Sequence, residues 1–245
     1  MGHTSLATQK LKHLLQLQFS VNTLLITPDC RQLIASSGCN IQIWDLPTGA
    51  PLHTLPGSHT LRKSPTLGQA EPSWIQSLAL SPDGKFLVSG SDDYLTFDPE
   101  FGPGPTNYEQ DVMKVWDMTN GELIQQLGGY HDSISHIAVT QDGRVVTSRH
   151  ESLSIWCLET GDRLKYLREY AKLVSSLAID EVNQRIFGGS YDKTINVWCL
   201  QIGQLLSTLS GHQATIREIV VSPNGQTLVS GDEDGFIKVW TKIDS

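Results

Sequence analysis

Two runs of neighbouring carboxylates are the first candidates for chemistry in this sequence. Asp92 and Asp93 are adjacent, and Asp232, Glu233 and Asp234 form a second acidic run. Two carboxylates held close together can act as a general acid and a general base when their surroundings separate their pKa values. Acid–base catalysis is therefore one hypothesis, to be compared with a structural role for the same residues.

Histidines are the second candidates, because imidazole is a common metal ligand. His131, His136 and His150 fall within one short stretch of the chain. His136, however, alternates with apolar residues in the way that a strand residue does. The pattern therefore favours a structural role for these histidines, and we expect no bound metal and no cofactor.

Charge and composition exclude several classes of protein. The chain has 245 residues and a formal net charge of −8, with 18 lysines and arginines against 26 aspartates and glutamates. No basic stripe is visible, so we expect no nucleic-acid partner. Apolar stretches are only about four or five residues long, which argues against a membrane-spanning helix and a secretory signal. The four cysteines show no Cys-x-x-Cys spacing and fit free thiols in a reducing, cytoplasmic compartment.

Five of the six tryptophans recur at a regular interval. They stand at positions 44, 116, 156, 198 and 240, so the successive intervals are 72, 40, 42 and 42 residues. Asp45 and Asp117 follow directly, which gives the dipeptide Trp-Asp twice. A repeat of about 42 residues predicts one supersecondary unit per repeat, each packed against its neighbours.

Within each repeat the apolar residues alternate with a period of two. Residues 216–221, 227–231 and 236–240 have the pattern of successive short strands. Ser-Pro-Asp-Gly at 81–84 and Ser-Pro-Asn-Gly at 222–225 are typical hairpin turns, in which proline fixes φ and glycine takes a positive φ. No segment shows sustained helical periodicity. The sequence therefore predicts an all-β fold with four short strands per repeat.

These features together resemble the WD40-repeat β-propeller family over nearly the whole chain. They are the spacing, the turns, the Ser-Gly-Ser-Asp-Asp run at 89–93, the Gly211-His212 pair and the Trp-Asp dipeptides. The style of the turns is similar to that of bacterial repeat proteins, particularly cyanobacterial ones. The resemblance implies a single domain, 1–245, that is a propeller of five four-stranded blades. The blades are expected at 20–55, 58–127, 131–168, 172–209 and 213–245.

The resemblance also implies that the N-terminus closes the ring. The last blade has no fourth strand of its own, and residues 9–15 are similar to the expected outer strand 121–127 of the second blade. We expect residues 1–18 to complete the last blade, because closure removes two open sheet edges. The alternatives are a terminal tail that forms no strand, an open ring completed by a partner, and a divergent fragment of a longer chain.

In this family a buried polar network of histidine, serine or threonine, aspartate and tryptophan ties each blade together, and such a network is valuable when all its members are satisfied. Two blades carry the full set in the matching positions. The residues are His59, Ser89, Asp93 and Trp116, and His212, Ser230, Asp234 and Trp240. One member of each acidic run thus receives a structural role, so we expect no catalytic residues and no enzymatic activity.

The 72-residue interval predicts two insertions in the second blade, at 60–72 and 94–112. In a propeller both loops leave the same face of the ring, the top. The second insertion carries Phe97 and Phe101 in a loop rich in proline and glycine. Aromatic side chains in such a loop either fold onto the blade or are offered to a partner. The insertions therefore predict a local binding platform, and the alternative is a pair of long loops with no binding role.

The contact positions of the family lie beside the first strand of a blade and before the turn aspartate. Here they are Trp74, Gln76, Asp92, Arg149, Tyr191, Arg217 and Glu233. Trp74 is the one tryptophan that does not follow the regular spacing. Its position is aromatic in G-protein β subunits, which this part of the chain resembles. Tryptophan, tyrosine and arginine dominate the binding energy of protein interfaces.

The resemblance thus implies a scaffold that binds a protein or peptide partner on its top face, as part of a larger complex. Two alternatives remain open. The central channel could serve a small ligand or a hydrolytic reaction, or the chain could be a regulatory module of a longer signalling protein.

Overall fold

The computed structural model describes residues 12–57, 74–91, 113–127, 134–149, 152–167 and 174–241, and the backbone of 61–63 and 70–72. These residues form 21 short strands and no helix, and so no helix in this part of the chain could cross a membrane. The strands form four sheets of four strands, one sheet of three strands and a two-stranded ribbon. The all-β fold predicted from the period of two is confirmed.

Each of the larger sheets is one blade, with its strands in chain order. The first blade consists of β1 (Val21–Ile26), β2 (Gln32–Ser37), β3 (Asn40–Asp45) and β4 (Pro51–Pro56). The ribbon of β5 (Leu61–Lys63) and β6 (Ala70–Pro72) follows, within the first predicted insertion. The second blade consists of β7 (Ile75–Leu80), β8 (Phe86–Ser91), β9 (Met113–Asp117) and β10 (Leu123–Leu127).

The remaining blades follow the same plan. The third consists of β11 (His136–Val139), β12 (Arg144–Arg149), β13 (Ser152–Cys157) and β14 (Arg163–Leu167). The fourth consists of β15 (Val174–Asp180), β16 (Arg185–Ser190), β17 (Thr194–Cys199) and β18 (Leu205–Ser210). The fifth consists of β19 (Ile216–Val221), β20 (Thr227–Asp232) and β21 (Ile237–Thr241). The first strands of successive blades lie side by side.

A short polar turn defines the first hairpin of the second blade through local hydrogen bonds, which do not depend on packing between blades. Ser81 Oγ donates to Asp83 Oδ1 at 2.6 Å and accepts from the amide of Phe86 at 2.9 Å. Gly84 completes the turn with a φ of 72°, a conformation that a Cβ atom disfavours. Gly225 in the fifth blade has a φ of 67°. The positive φ predicted for both glycines is confirmed.

Apolar packing lies between the blades. Alternate side chains of a strand point to opposite faces, so each repeated tryptophan and the residue before it contact different neighbours. Val115 packs toward the third blade, whereas Trp116 packs toward the first. Val197 and Trp198 divide in the same way between the fifth and the third blade. We call the side of a blade that meets the following blade its front face, and the side that meets the preceding blade its back face.

Residues 12–17 lie against the back face of the first blade and form no strand. Nε2 of His13 donates to the carbonyl oxygen of Pro47 at 3.1 Å, and Leu15 lines a groove with Leu33 and Trp44. The fifth blade has three strands in the described part of the chain. Residues 1–11, the rest of the predicted closing segment, lie outside the described residues, and closure of the ring stays a prediction.

Candidate interaction surface

Antiparallel pairing defines the top of each blade. The start of the first strand pairs with the end of the second, as Ile75 does with Ser91, so residues flanking such pairs meet at one end of the sheet. Hydrogen bonds between first strands hold neighbouring blades in the same orientation. Asn22 Nδ2 donates to the carbonyl oxygen of Ile75 at 2.8 Å, and the amide of Ile137 donates to Ser77 Oγ at 3.1 Å. The blade tops therefore form one face of the protein, the top face.

Residues of the fourth and fifth blades form an exposed cluster on the top face. Arg217 Nη2 donates to Glu233 Oε1 at 2.5 Å, and both side chains are about half exposed. The guanidinium group of Arg217 also lies near the hydroxyl of Tyr191 in the fourth blade, and the amide of Glu233 donates to the carbonyl oxygen of Thr215 at 2.9 Å. We call these four residues the Arg217 cluster. The structure thus brings together three predicted contact residues, Tyr191, Arg217 and Glu233, that are far apart in the sequence.

The ion pair shifts the pKa values of both charged members of the Arg217 cluster. The hydrogen bond from Arg217 and its charge lower the pKa of Glu233. The hydrogen bond to Glu233 and its charge raise the pKa of Arg217. Both groups are therefore ionised at neutral pH, and their charges largely cancel. The cluster offers hydrogen-bond donors and acceptors beside an aromatic ring, which suits polar and amide groups better than it suits a free anion.

Trp74 at the top of the second blade is 44% exposed and stands beside Phe19. The ring centroids are 6.4 Å apart, with an angle of 39° between the planes, a tilted geometry that is favourable for aromatic pairs. Ser37 holds Phe19 in place, because its Oγ accepts from the Phe19 amide at 3.1 Å and donates to the Phe19 carbonyl at 2.9 Å. Two aromatic side chains, each about half exposed, thus form a second feature of the top face.

Gln76 also lies on the exposed side of the second blade, and its carbonyl oxygen accepts from Thr23 Oγ1 at 3.3 Å. Gln76 is thus exposed, as a contact residue must be, but it is not part of the Arg217 cluster. The predicted contact residues Asp92, Phe97 and Phe101 lie outside the described residues.

The prediction that Arg149 presents its guanidinium group to a partner is wrong, because the residue is only 2% exposed. Arg149 ends β12 and pairs with Ser152 of β13. The residues that end the second strand in the second, fourth and fifth blades, Ser91, Ser190 and Asp232, are buried as well. Glu233 is exposed because it lies one residue beyond the end of its strand, and the sequence prediction did not fix this difference in register.

The polar network of the fifth blade is complete, but one of its members differs from the prediction. His212 Nδ1 donates to Asp232 Oδ2 and its Nε2 accepts from Ser230 Oγ, both at 2.6 Å. Trp240 Nε1 donates to the same Ser230 Oγ at 2.8 Å. The predicted aspartate, Asp234, is replaced by Asp232, which is the residue that pairs with Ile216 at the end of the β20 ladder. The strand register brings Asp232 to the ring, and Asp234 lies in the turn beyond it.

The buried position of Asp232 raises its pKa, but the bonds from His212 and from the amide of Phe236 outweigh this effect and hold the pKa below its usual value. The carboxylate is therefore ionised at neutral pH. An ionised Asp232 accepts from His212, which fixes the tautomer of the ring and completes the chain of hydrogen bonds to Trp240.

The second and third blades contain parts of the same network. Trp116 Nε1 donates to Ser89 Oγ at 3.0 Å, as predicted, and Trp156 Nε1 donates to Thr147 Oγ1 at 3.1 Å. Thr147 was not among the predicted members of the network. Its place in β12 matches that of Ser89 in β8, so aligning the second strands by their pairing to the tryptophan would have identified it. His59 and Asp93, predicted for the second blade, lie outside the described residues.

The histidines give no support to a metal site in the part of the chain that the structure describes. His136 Nδ1 lies 3.1 Å from Ser148 Oγ, and burial lowers the pKa of the ring. No group of three or more His, Cys, Asp or Glu side chains gathers around a common point among the described residues. His131 and His150 lie outside these residues.

Comparison with known families identifies the repeat. The family model described as "WD domain, G-beta repeat" matches residues 9–45, 62–95, 161–199 and 203–241. These segments make up more than half of the chain, which therefore belongs to the WD-repeat family. The match at 203–241 contains the last strand of the fourth blade and all three strands of the fifth, so the sequence repeat is offset from the blade by one strand. Proteins of this family serve as scaffolds for protein interactions and are generally not catalytic.

Several curated proteins are similar to this chain at low identity. Protein HIR1 of Kluyveromyces lactis is 25% identical over 185 residues, which cover 72% of this chain and 21% of that protein. U3 small nucleolar RNA-interacting protein 2 of Mus musculus is 25% identical over 122 residues, or 49% of this chain and 22% of that protein. Protein HIR1 of Candida albicans is 24% identical over 193 residues, or 66% of this chain and 20% of that protein. The chain spans about a fifth of the length of these relatives.

Proposed function

We propose that this protein is a non-catalytic scaffold that binds a peptide or a protein surface on its top face, within a larger complex. The Arg217 cluster is the observation that carries the proposal. Three of its side chains, those of Tyr191, Arg217 and Glu233, come from two blades, are about half exposed, and stand at the contact positions predicted from the family. Tyrosine and arginine are among the residues that dominate interface energetics. The paired rings of Phe19 and Trp74 add an apolar contact on the same face.

The chemistry of the top face favours a polypeptide partner. In the Arg217 cluster the charges of Arg217 and Glu233 largely cancel, so backbone amides and polar side chains are better ligands than phosphates. The name of the mouse relative says that it interacts with U3 small nucleolar RNA. We do not extend that property to this chain, because a net charge of −8 opposes the binding of a polyanion.

The acidic run that could have suggested catalysis already has structural partners. Asp232 is bonded to His212, and Glu233 is bonded to Arg217. A general acid–base pair needs carboxylates that face a common substrate, and these two are held in different environments. This arrangement supports a non-enzymatic function. The four cysteines are free thiols, in keeping with a cytoplasmic location, which is part of the proposal.

Affinity purification with wild-type protein and a double variant, Tyr191→Ala with Arg217→Ala, tests the proposal. Ile202→Ala is the matched control, because Ile202 is also exposed but lies in the turn between β17 and β18, at the opposite end of its blade. A protein recovered with wild type and control is then titrated against all three forms. We expect the double variant to lose at least about tenfold in affinity, equivalent to about 1.4 kcal/mol, with an unchanged melting temperature.

Equal recovery and equal affinity for the double variant and wild type would contradict the proposal that the Arg217 cluster binds the partner. A second variant, Trp74→Ala, separates the two features of the top face. If the partner spans both, Trp74→Ala also weakens binding, while a partner seated on the fourth and fifth blades alone is unaffected by it.

A further inference from the structure

Successive blades pack on each other through the same contacts at every junction. These contacts therefore show what the exposed faces of the first and the fifth blade are built to pack against. At each of the four junctions in the described residues, the front face of one blade packs on the back face of the next. The fifth blade has a front face and the first blade has a back face, and within the described residues of one copy neither has a blade against it. These two faces are the halves of a fifth junction.

Residues 12–17, the N-terminal segment, lie on the first blade where the outer strand of a preceding blade would lie. At the other junctions the glycine of the turn between the third and fourth strands lies against the outer strand of the preceding blade. Gly121 lies against Leu55, Gly161 against Leu127 and Gly203 against Leu167. In the first blade the matching residue is Gly49, and it lies against His13. Residues 12–17 are thus held on the first blade in the position that the outer strand of a preceding blade takes elsewhere.

The rest of the back face of the first blade is exposed. Leu24 in β1 is 60% exposed, whereas Leu78, at the same position of β7, is 4% exposed. Val21 and Ile26 are also about half exposed, although Ile75, which matches Val21, is fully buried. These side chains have the apolar character of a blade-to-blade contact, but they face solvent in a single copy.

The front face of the fifth blade is exposed in the complementary way. Val239 precedes the last repeated tryptophan and is 63% exposed, while the matching Val115 is 1% exposed. Ile237 is also exposed where Met113 is buried. No heavy atom lies within 4 Å of the Cβ position that a side chain at Gly231 would have, whereas Ile134 fills that space at the matching glycine of the second blade, Gly90.

We propose that a second copy of this chain completes the junction. The back face of the first blade of one copy packs on the front face of the fifth blade of the other, and Val21 fills the space beside Gly231. The N-terminal segment of the first copy then adds along the open edge of β21 as the fourth strand. An exposed edge strand has unpaired backbone groups that favour such addition.

Two features favour a second copy as the occupant. The chain carries both complementary halves, and each half repeats a contact that the chain makes four times internally. The segment that would complete the fifth blade is held on the first blade, while β21 and Val239 of the same copy remain exposed. The contact joins two different surfaces, so it is heterologous, and copies add head to tail until the geometry closes a ring.

Light scattering of the full chain after size-exclusion chromatography, at several protein concentrations, tests the proposal. We expect masses at multiples of the 27.0 kDa chain that increase with concentration. Val239→Asp and Leu24→Asp each place a charge on one half of the junction, and both residues are exposed in one copy, so we expect folded monomers. Ile202→Asp, which places a charge on an exposed site outside the junction, should assemble as wild type does.

A mixture of the Val239→Asp and Leu24→Asp proteins distinguishes contact between copies from closure within one copy. The first variant retains an intact first blade and the second retains an intact fifth blade, so the mixture should form a complex of two chains although neither protein assembles alone. Wild-type protein that is monomeric at every concentration would overturn the proposal, as would a mixture that stays monomeric. In that case, a lower melting temperature of both variants would indicate that the ring closes within one chain.

Discussion

The imidazole of His212 bonds to the carboxylate of Asp232 at 2.6 Å, two residues before the aspartate that the repeat pattern predicts for this role. The bond is buried, and the same ring accepts from Ser230, which in turn accepts from Trp240. A buried hydrogen-bond chain of this kind stabilises a fold when every member is satisfied and destabilises it when one is lost. The fifth blade, which has an open edge, is thus held by its own network.

Substitution of Asp232 should destabilise the protein far more than substitution of Asp234. Asp232→Asn removes the charged acceptor of His212 and leaves a buried ring with a weaker partner, so we expect the melting temperature to fall by roughly 5 °C or more. Asp234→Asn is the matched control and should melt within about 1 °C of wild type. Differential scanning calorimetry of the two variants provides the measurement. If the two substitutions lowered the melting temperature equally, Asp232 would not be the specific partner of His212.

Gly188 in the fourth blade has the strand position that Ser89 and Ser230 have in the second and fifth, and a serine there should destabilise the blade. A Cβ atom at Gly188 would lie 2.8 Å from Cζ3 of Trp198, and this indole is fully buried. Overpacking of this kind costs about 1–3 kcal/mol, so we expect Gly188→Ser to lower the free energy of unfolding by that amount in urea titrations.

A double-mutant cycle shows whether the indole causes this loss. Trp198→Phe removes the ring atoms nearest to Gly188, so Gly188→Ser should cost less in the Trp198→Phe background than in wild type. Additive losses would mean that the cost of the serine has another origin.

Stability should rise with pH above about pH 8 because of Lys114. The side chain is buried, its Nζ donates to the carbonyl oxygen of Pro56 at 3.2 Å, and burial lowers the pKa of Lys114 from 10.5 to about 8. Between these two pKa values the unfolded chain binds a proton that the folded protein does not, so the free energy of unfolding increases with pH in this range. Below about pH 8 both states bind the proton, and the full cost of burying the charge applies.

Urea titrations of wild type and Lys114→Met from about pH 7 to about pH 10 measure this effect. The stability of wild type relative to the variant should be constant up to about pH 8 and should then increase. Parallel pH profiles for the two proteins would show that Lys114 does not titrate with a lowered pKa.

The two leucines of the N-terminal segment should respond differently to charge. Leu15 lines the groove with Leu33 and Trp44, whereas Leu14 is 86% exposed. Leu15→Asp should therefore lower the free energy of unfolding by about 1–2 kcal/mol, part of the value for a fully buried leucine. Leu14→Asp should leave it nearly unchanged. Equal stability of both variants would mean that the segment does not pack on the first blade in solution.

Much of the fold is predictable from the sequence because it depends on local rules. A period of two and turns such as Ser81 to Gly84 define strands and hairpins without any reference to distant residues. The regular spacing of the tryptophans indicates which residues pack between blades, since alternation along a strand places Val115 and Trp116 on opposite faces. Position in a repeat also predicts that Tyr191, Arg217 and Glu233 lie at the tops of their blades, where the structure has them.

The burial of a side chain, its hydrogen-bond partner and the closure of the ring depend on distances between residues that are far apart in the sequence. Arg149 ends its strand at the position that Asp232 takes in the fifth blade, and both side chains are buried. Glu233 lies one residue further along, is half exposed and pairs with Arg217. Strand register decides that Asp232 and not Asp234 reaches His212. The sequence by itself determined the repeating blade and its junctions. The tertiary structure decided which junctions are made, because each blade needs a neighbour on both faces, and among the described residues the two end blades each lack one.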